Sequence, residues 1–120
     1  MKLRTLIVSA VLSLSLLVAL APAALASVAT FTFPNKTGKQ VNDLHIEFVE
    51  ASTPNPPAGP FGPFKNDEIH GNAHNFSNGT VAVNGTVTLT FTNDSPKVKI
   101  KEWWWTIDGT PEGGVHTGAP

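Results

Sequence analysis

Three tryptophans in a row, Trp103, Trp104 and Trp105, are the residues of this chain best suited to binding chemistry. A strand sends consecutive side chains to opposite faces. In an unbroken register Val98, Ile100 and Trp104 point inward, and Trp103 and Trp105 point outward ~7 Å apart, two rises along a strand. That pair would form a platform able to stack on sugar rings or on a partner's apolar patch. The same register turns Glu102 inward beside Ile100, which is costly for an unpaired carboxylate. A bulge near Glu102 removes the conflict, aligning Trp103, Trp105 and Ile107 with Val98 and Ile100 and leaving Glu102 and Trp104 to water. Aromatics pack more often than they bind ligands, so filling the core is the first expectation for these residues.

Four histidines, His45, His70, His74 and His116, could ligate a metal or move protons. Asp67, His70 and His74 are the only speculative metal set, because imidazole and carboxylate at short spacing suit zinc or copper. His70 and His74 would share a face on a helix, but Gly71, Asn72 and Asn75 make a poor helix. The expectation is a solvated polar loop, with no metal and no cofactor. Catalysis has less support still. Ser27, Ser52, Ser77 and Ser95 lie in no Gly-x-Ser-x-Gly elbow, and there is no cysteine to act as a thiol nucleophile. Acid pairs such as Glu47 with Glu50 or Asp67 with Glu68 would have to face each other across a cleft to cleave a glycoside. No catalytic residue is therefore assigned, and the chain is read as a non-enzyme.

The elements that must position these residues follow an export signal. Lys2 and Arg4 precede an apolar run from Leu6 to Leu20, and Ala24-Leu25-Ala26 forms a small-residue cleavage site. Residues 1–26 are expected to be a signal peptide, leaving a secreted or periplasmic domain that starts at Ser27. The run is short for a membrane span and is interrupted by Ser9, Ser13 and Ser15. Without a cysteine, no lipid can be attached at the signal boundary. After cleavage, six lysines against nine acids leave a net charge of −3, and no arginine remains. That balance argues against nucleic acid and anionic membrane as partners, which leaves a protein or glycan surface. An exported domain without disulfides must rely on its core alone. The five Asn-x-Ser/Thr triplets, at Asn35, Asn75, Asn78, Asn84 and Asn93, reflect the abundance of Asn and Thr in strand-and-turn sequence.

From Val28 onward the hydrophobic period is two. Residues 28–33 predict a first strand, ended by Pro34 and the turn Asn35-Lys36-Thr37-Gly38. Val41 to Val49 predicts a second, with Leu44, Ile46 and Phe48 on one face and Asp43, His45 and Glu47 on the other. Residues 52–64 are too rich in proline to join a ladder, and Phe61 and Phe64 are candidates to peg this loop onto the sandwich edge. Asn84-Gly85, between Thr80–Val83 and Thr86–Thr92, predicts a hairpin. A strand over 97–107 carries Lys97, Lys99 and Lys101 as a solvated edge and closes at Asp108-Gly109. At least five strands result, with room for one or two more between Phe61 and Phe76. The expected fold is all-β, an immunoglobulin-like or Greek-key antiparallel β-sandwich over residues 27–109, followed by a flexible Gly/Pro tail over 110–120.

Two stretches, Thr37-Gly38-x-x-Val41-Asn42-Asp43-Leu44-His45-x-x-Phe48 and Trp103-Trp104-Trp105-Thr106-x-x-Gly109, resemble those of small exported bacterial proteins with a sandwich-like domain, some bearing cell-surface sorting tails. The resemblance spans most of residues 28–109. It implies the fold and the compartment and transfers no activity. Nothing after Gly109 has the character of a sorting tail, so release into periplasm or medium is the expectation.

Overall fold

The computed structural model describes residues 26–94 and 96–120, so the expected signal peptide, apart from Ala26, lies outside the described residues. The chain is an all-β sandwich of two antiparallel sheets. In chain order the strands are β1 (Ser27–Pro34), β2 (Asp43–Phe48), β3 (Asn66–His70), β4 (Ala73–Ser77), β5 (Thr86–Asn93), β6 (Ile100–Ile107) and β7 (Thr110–Thr117), with one 3₁₀ turn over Glu50–Ser52. Strands β1 and β5 form one layer, and the other runs β3-β4-β2-β6-β7.

Alternation builds both layers. In β5, Val87, Leu89 and Phe91 are buried while Thr86, Thr88, Thr90 and Thr92 face solvent. In β2, Leu44, Ile46 and Phe48 enter the core. The centre of that core is an aromatic cluster in which Phe48 and Phe91 meet edge to face at 5.1 Å. Two strands cannot cover five, and loops complete the thin layer. Phe61 and Phe64 pack on Phe76 at 5.8 and 6.2 Å, pinning the proline-rich loop over the core. Gly79 lets that loop approach, because a Cβ there would lie 2.6 Å from the Phe64 ring.

Strand β6 carries the bulge. Glu47 pairs with Glu102, but Phe48 pairs with Ile100, so Lys101 is the extra residue. Beyond it Trp103 and Trp105 join Val98 and Ile100 in the core, while Trp104 turns outward. The unbroken register does not occur. Trp105 is fully buried, and its indole Nε1 donates to the Pro34 carbonyl at 3.0 Å.

Four expectations need correction. Residues 110–117 are not a tail: they form β7, paired with β6 through a two-residue turn in which Asp108 and Gly109 both have positive φ (48° and 83°). Pro111 is tolerated there because β7 lies at a sheet edge. For the same reason β6 is interior, and Lys101 reaches Glu47 at 3.3 Å instead of guarding an edge. The segment around His70 and His74 is no solvated loop but the β3–β4 hairpin, turned at Gly71 (φ 60°) and Asn72. Finally, Asn84-Gly85 makes a turn but no hairpin. Strand β5 pairs instead with β1, and Val81 makes only an isolated bridge to Val41.

Asn35 explains that last outcome. Its buried side chain donates to the carbonyls of Lys39 (2.8 Å), Val81 (3.2 Å) and Ala82 (3.1 Å) and accepts from Thr37 N–H and Oγ1. The carbonyls that would build a ladder from residues 81 and 82 are taken. The Asn35 backbone meanwhile pairs with Asn84 and Gly85, which delivers β5 to β1.

Candidate functional site

The inward residues of β2, β4 and β6 are fixed by the core, which leaves their alternates on the outer face of the five-stranded sheet. His45 sits directly opposite Trp104 on one side and Asn75 on the other, and Asn75 is opposite Glu68. A row Glu68, Asn75, His45, Trp104 therefore crosses four strands. The next row runs His70, Ala73, Glu47, Glu102, Thr117.

At the centre of this face the His45 and Trp104 rings stack, with centroids 4.1 Å apart and planes 18° from parallel. Half-burial beneath the indole pushes the His45 pKa below its ordinary value; Glu47 opposes that shift and His70 reinforces it. Glu47 is held below the ordinary carboxylate range by side-chain hydrogen bonding with Glu102 and by the Lys101 ammonium. On the other side of Trp104, three β7 residues, Gly113 to Val115, stand opposite one, and both glycines have positive φ (73° and 81°).

The face continues past Asp43, two residues from His45 on the same side of β2, into a polar depression of about 700 Å³. Asp43, Lys65, Ser77, Asn78 and Asp108 line it. Asn42 and Asp108 fix one rim reciprocally: Asn42 Nδ2 donates to Asp108 Oδ1 at 2.8 Å, and Asp108 N–H donates to Asn42 Oδ1 at 3.0 Å. An aromatic stack and a cavity rich in donors and acceptors thus lie ~7 Å apart, two rises along β2.

The residues singled out from sequence are distributed unequally. Trp104 alone of the three tryptophans lies on the open face. Trp103 is buried against Phe33 at 5.2 Å, and His116 of β7 stacks on it at 4.1 Å. Asp67 and His74 are brought together, with Oδ2 and Nδ1 2.9 Å apart, but inside the core. His70 is on the opposite face of the hairpin, exposed, with its Nε2 3.8 Å from Glu68. Among the described residues no group of three or more His, Cys, Asp or Glu side chains is placed to hold a metal ion.

Sequence reasoning assigned no role to His45 or to the depression. His45 was legible as an outward residue of β2, but its partner depends on β2 lying beside β6, a pairing between residues far apart in the chain. No protein-family model, no curated protein and no solved structure matches this chain.

Proposed function

We propose that this protein is an exported, non-enzymatic binding domain that engages a glycan through the outer face of its five-stranded sheet. The observation that carries the reading is the His45–Trp104 stack at the centre of an open face, beside a polar depression. Sugar rings present apolar C–H faces and equatorial hydroxyls together. An indole takes the first, and carboxylates, amides and hydroxyls take the second. Trp104 supplies the indole, while Asp43, Lys65, Ser77, Asn75 and Glu68 are the polar groups within a few strand widths of it. The ligand-contact role expected of Trp103, Trp104 and Trp105 thus rests on Trp104, with the other two beneath it as support.

Export is part of the same reading, supported by the charged start, apolar run and Ala24-Leu25-Ala26 site of residues 1–26. An immunoglobulin-like arrangement and kinship with the small exported bacterial sandwich proteins complete it. Secretion or a periplasmic location follows from it. The test is retention of the mature protein on insoluble polysaccharides and peptidoglycan. Retention that Trp104→Ala abolishes while circular dichroism is unchanged is the expected result. Failure to bind any glycan, or a Trp104→Ala variant that binds as well as the wild type, would overturn the reading.

A further inference from the structure

The two sheets have four edges, and three are blunted. Strand β3 is five residues long and carries Asp67, Glu68 and His70. Strand β7 has Pro111 and the left-handed Gly113 and Gly114. The outer edge of β5 is occupied by the proline-rich loop: Asn55 N–H donates to Thr92 O at 2.8 Å, and Asn93 Nδ2 donates to Thr53 O at 3.1 Å. Charge, proline, bulges and covering loops are the usual protections of a sheet edge.

Among the described residues strand β1 has none of them before its last residue, Pro34. The strand is eight residues long, uncharged and without a bulge, and among the described residues no strand borders its outer side. Asn35 N–H turns toward β5, where it donates to Gly85 O at 2.8 Å. By the two-residue alternation of an antiparallel ladder, Phe33, Phe31 and Ala29 do the same, and Val28, Thr30 and Thr32 aim their amides at the open edge. Pro34, which has no N–H, falls on the open side, where no existing ladder bond is lost. Beneath this edge the core is thinly covered. Ala29 and Phe31 are half-buried, whereas the β5 residues opposite them, Phe91 and Leu89, are buried.

We propose that β1 is a pairing edge and that its occupant is β1 of a second copy of this chain, antiparallel across a two-fold axis at Thr30. In that register Ala29 meets the partner's Phe31, small against large, on the core side, and Val28 meets the partner's Thr32 on the outer side. The half-buried pair is covered by its own complement. No charged side chain lies on β1, and the α-amino groups that cleavage leaves at Ser27 fall at opposite ends of the paired strands, so nothing repels at the axis. The contact is isologous and closes at two copies, giving a continuous layer of four strands, β5-β1 followed by β1-β5 of the partner.

The experiment is sedimentation equilibrium and light scattering on the secreted protein, with its N-terminus established by intact mass. Wild type is expected at twice the chain mass. Thr30→Lys, on the exposed face of β1, sets two ammonium groups together at the axis and is expected to give a folded monomer. Val28→Pro, at a residue 64% exposed, removes an N–H aimed at the partner without touching the β1–β5 ladder, and serves if Thr30→Lys fails to fold. Thr90→Lys, on the same face but on β5, is expected to remain dimeric. A monomeric wild type at the highest soluble concentration overturns the proposal. So does a dimer that survives both β1 variants, or one lost equally in Thr90→Lys, which would place the contact on the sheet face instead of its edge. Glycan retention by a monomeric variant separates this outcome from that of the proposed function.

Discussion

Asp67 Oδ2 lies 2.9 Å from His74 Nδ1 with 3% and 0% of the two side chains exposed, so a hydrogen-bonded acid–base pair sits among phenylalanines. The imidazole meets Phe48 at 5.1 Å, edge to face, and lies 6.1 and 6.3 Å from Phe76 and Phe91. Neither Asp67 Oδ1 nor His74 Nε2 has a further hydrogen-bond partner among the described residues. Removing one member leaves the other buried and alone, which costs about 3–5 kcal/mol. Asp67→Ala is expected to lose stability in that range by urea denaturation. Asp67→Leu combined with His74→Leu is expected to recover most of it, since apolar replacement of a buried pair is often neutral or stabilising.

The three tryptophans should separate sharply in stability despite being neighbours in sequence. Trp105→Ala removes a fully buried indole and its bond to Pro34 and is expected to cost about 3–5 kcal/mol. Trp104→Ala removes one stacked ring pair from a wet face and is expected to cost about 1 kcal/mol. Chemical denaturation of the two variants checks the contrast, and equal losses would contradict the bulged register.

Asn35 is a small side chain with a large structural charge. Asn35→Ala removes the side-chain bonds to the carbonyls of Lys39, Val81 and Ala82 and takes the acceptor of the Thr37 N–H, and a loss of about 1–3 kcal/mol is expected. Asn35→Asp should be no better, because a carboxylate cannot donate to those carbonyls. Thermal melts of both variants test this.

His45 gives the fold a pH dependence of defined sign. The unfolded residue titrates near 6.5 and the folded one lower, so on acidification the unfolded chain takes up its proton first. Stability is therefore expected to fall as pH drops below 6.5 and to level off once the folded imidazole has titrated. Glu47, also depressed, loses its contribution only as pH falls below its ordinary value of 4.5, which separates the two windows. Melting temperatures at about pH 7.5 and about pH 5 should differ more for wild type than for His45→Gln. Trp104 fluorescence should fall over the same interval as the stacked imidazole becomes cationic.

Much of the architecture is legible in local pattern. The alternation of Leu44, Ile46 and Phe48, and of Val87, Leu89 and Phe91, identifies strands and their buried faces without ambiguity. The bulge in β6 is legible too, because Glu102 would otherwise be buried unpaired. What local pattern does not carry is partnership. Asn84-Gly85 announces a turn, yet residues 81 and 82 are held by Asn35, almost fifty residues away, and by Val41, while β5 pairs with β1, so no hairpin forms there. His74 reads as polar loop sequence until Asp67 is placed beside it. Strand β7 is obscured by Pro111, Gly113 and Gly114, although Asp108-Gly109 between two runs was a hairpin signal of the same kind. The candidate face depends on such a partnership: His45 and Trp104 become one site only because β2 lies against β6.

The pairing of β1 with β5 also sets an order of events. Thr30 and Thr90 share a 2.9 Å hydrogen bond across sixty residues of chain, and Ser27 finds Asn93 in the same ladder. A polypeptide is made from its N-terminus, so β1 exists long before the strand that will shelter Phe31 and Phe33. The thin layer can close only when most of the domain has been synthesised, which makes the sandwich late to assemble and slow to fold, as distant pairings are. Until then the Val-Ala-Thr-Phe-Thr-Phe segment has no partner strand to shelter its phenylalanines.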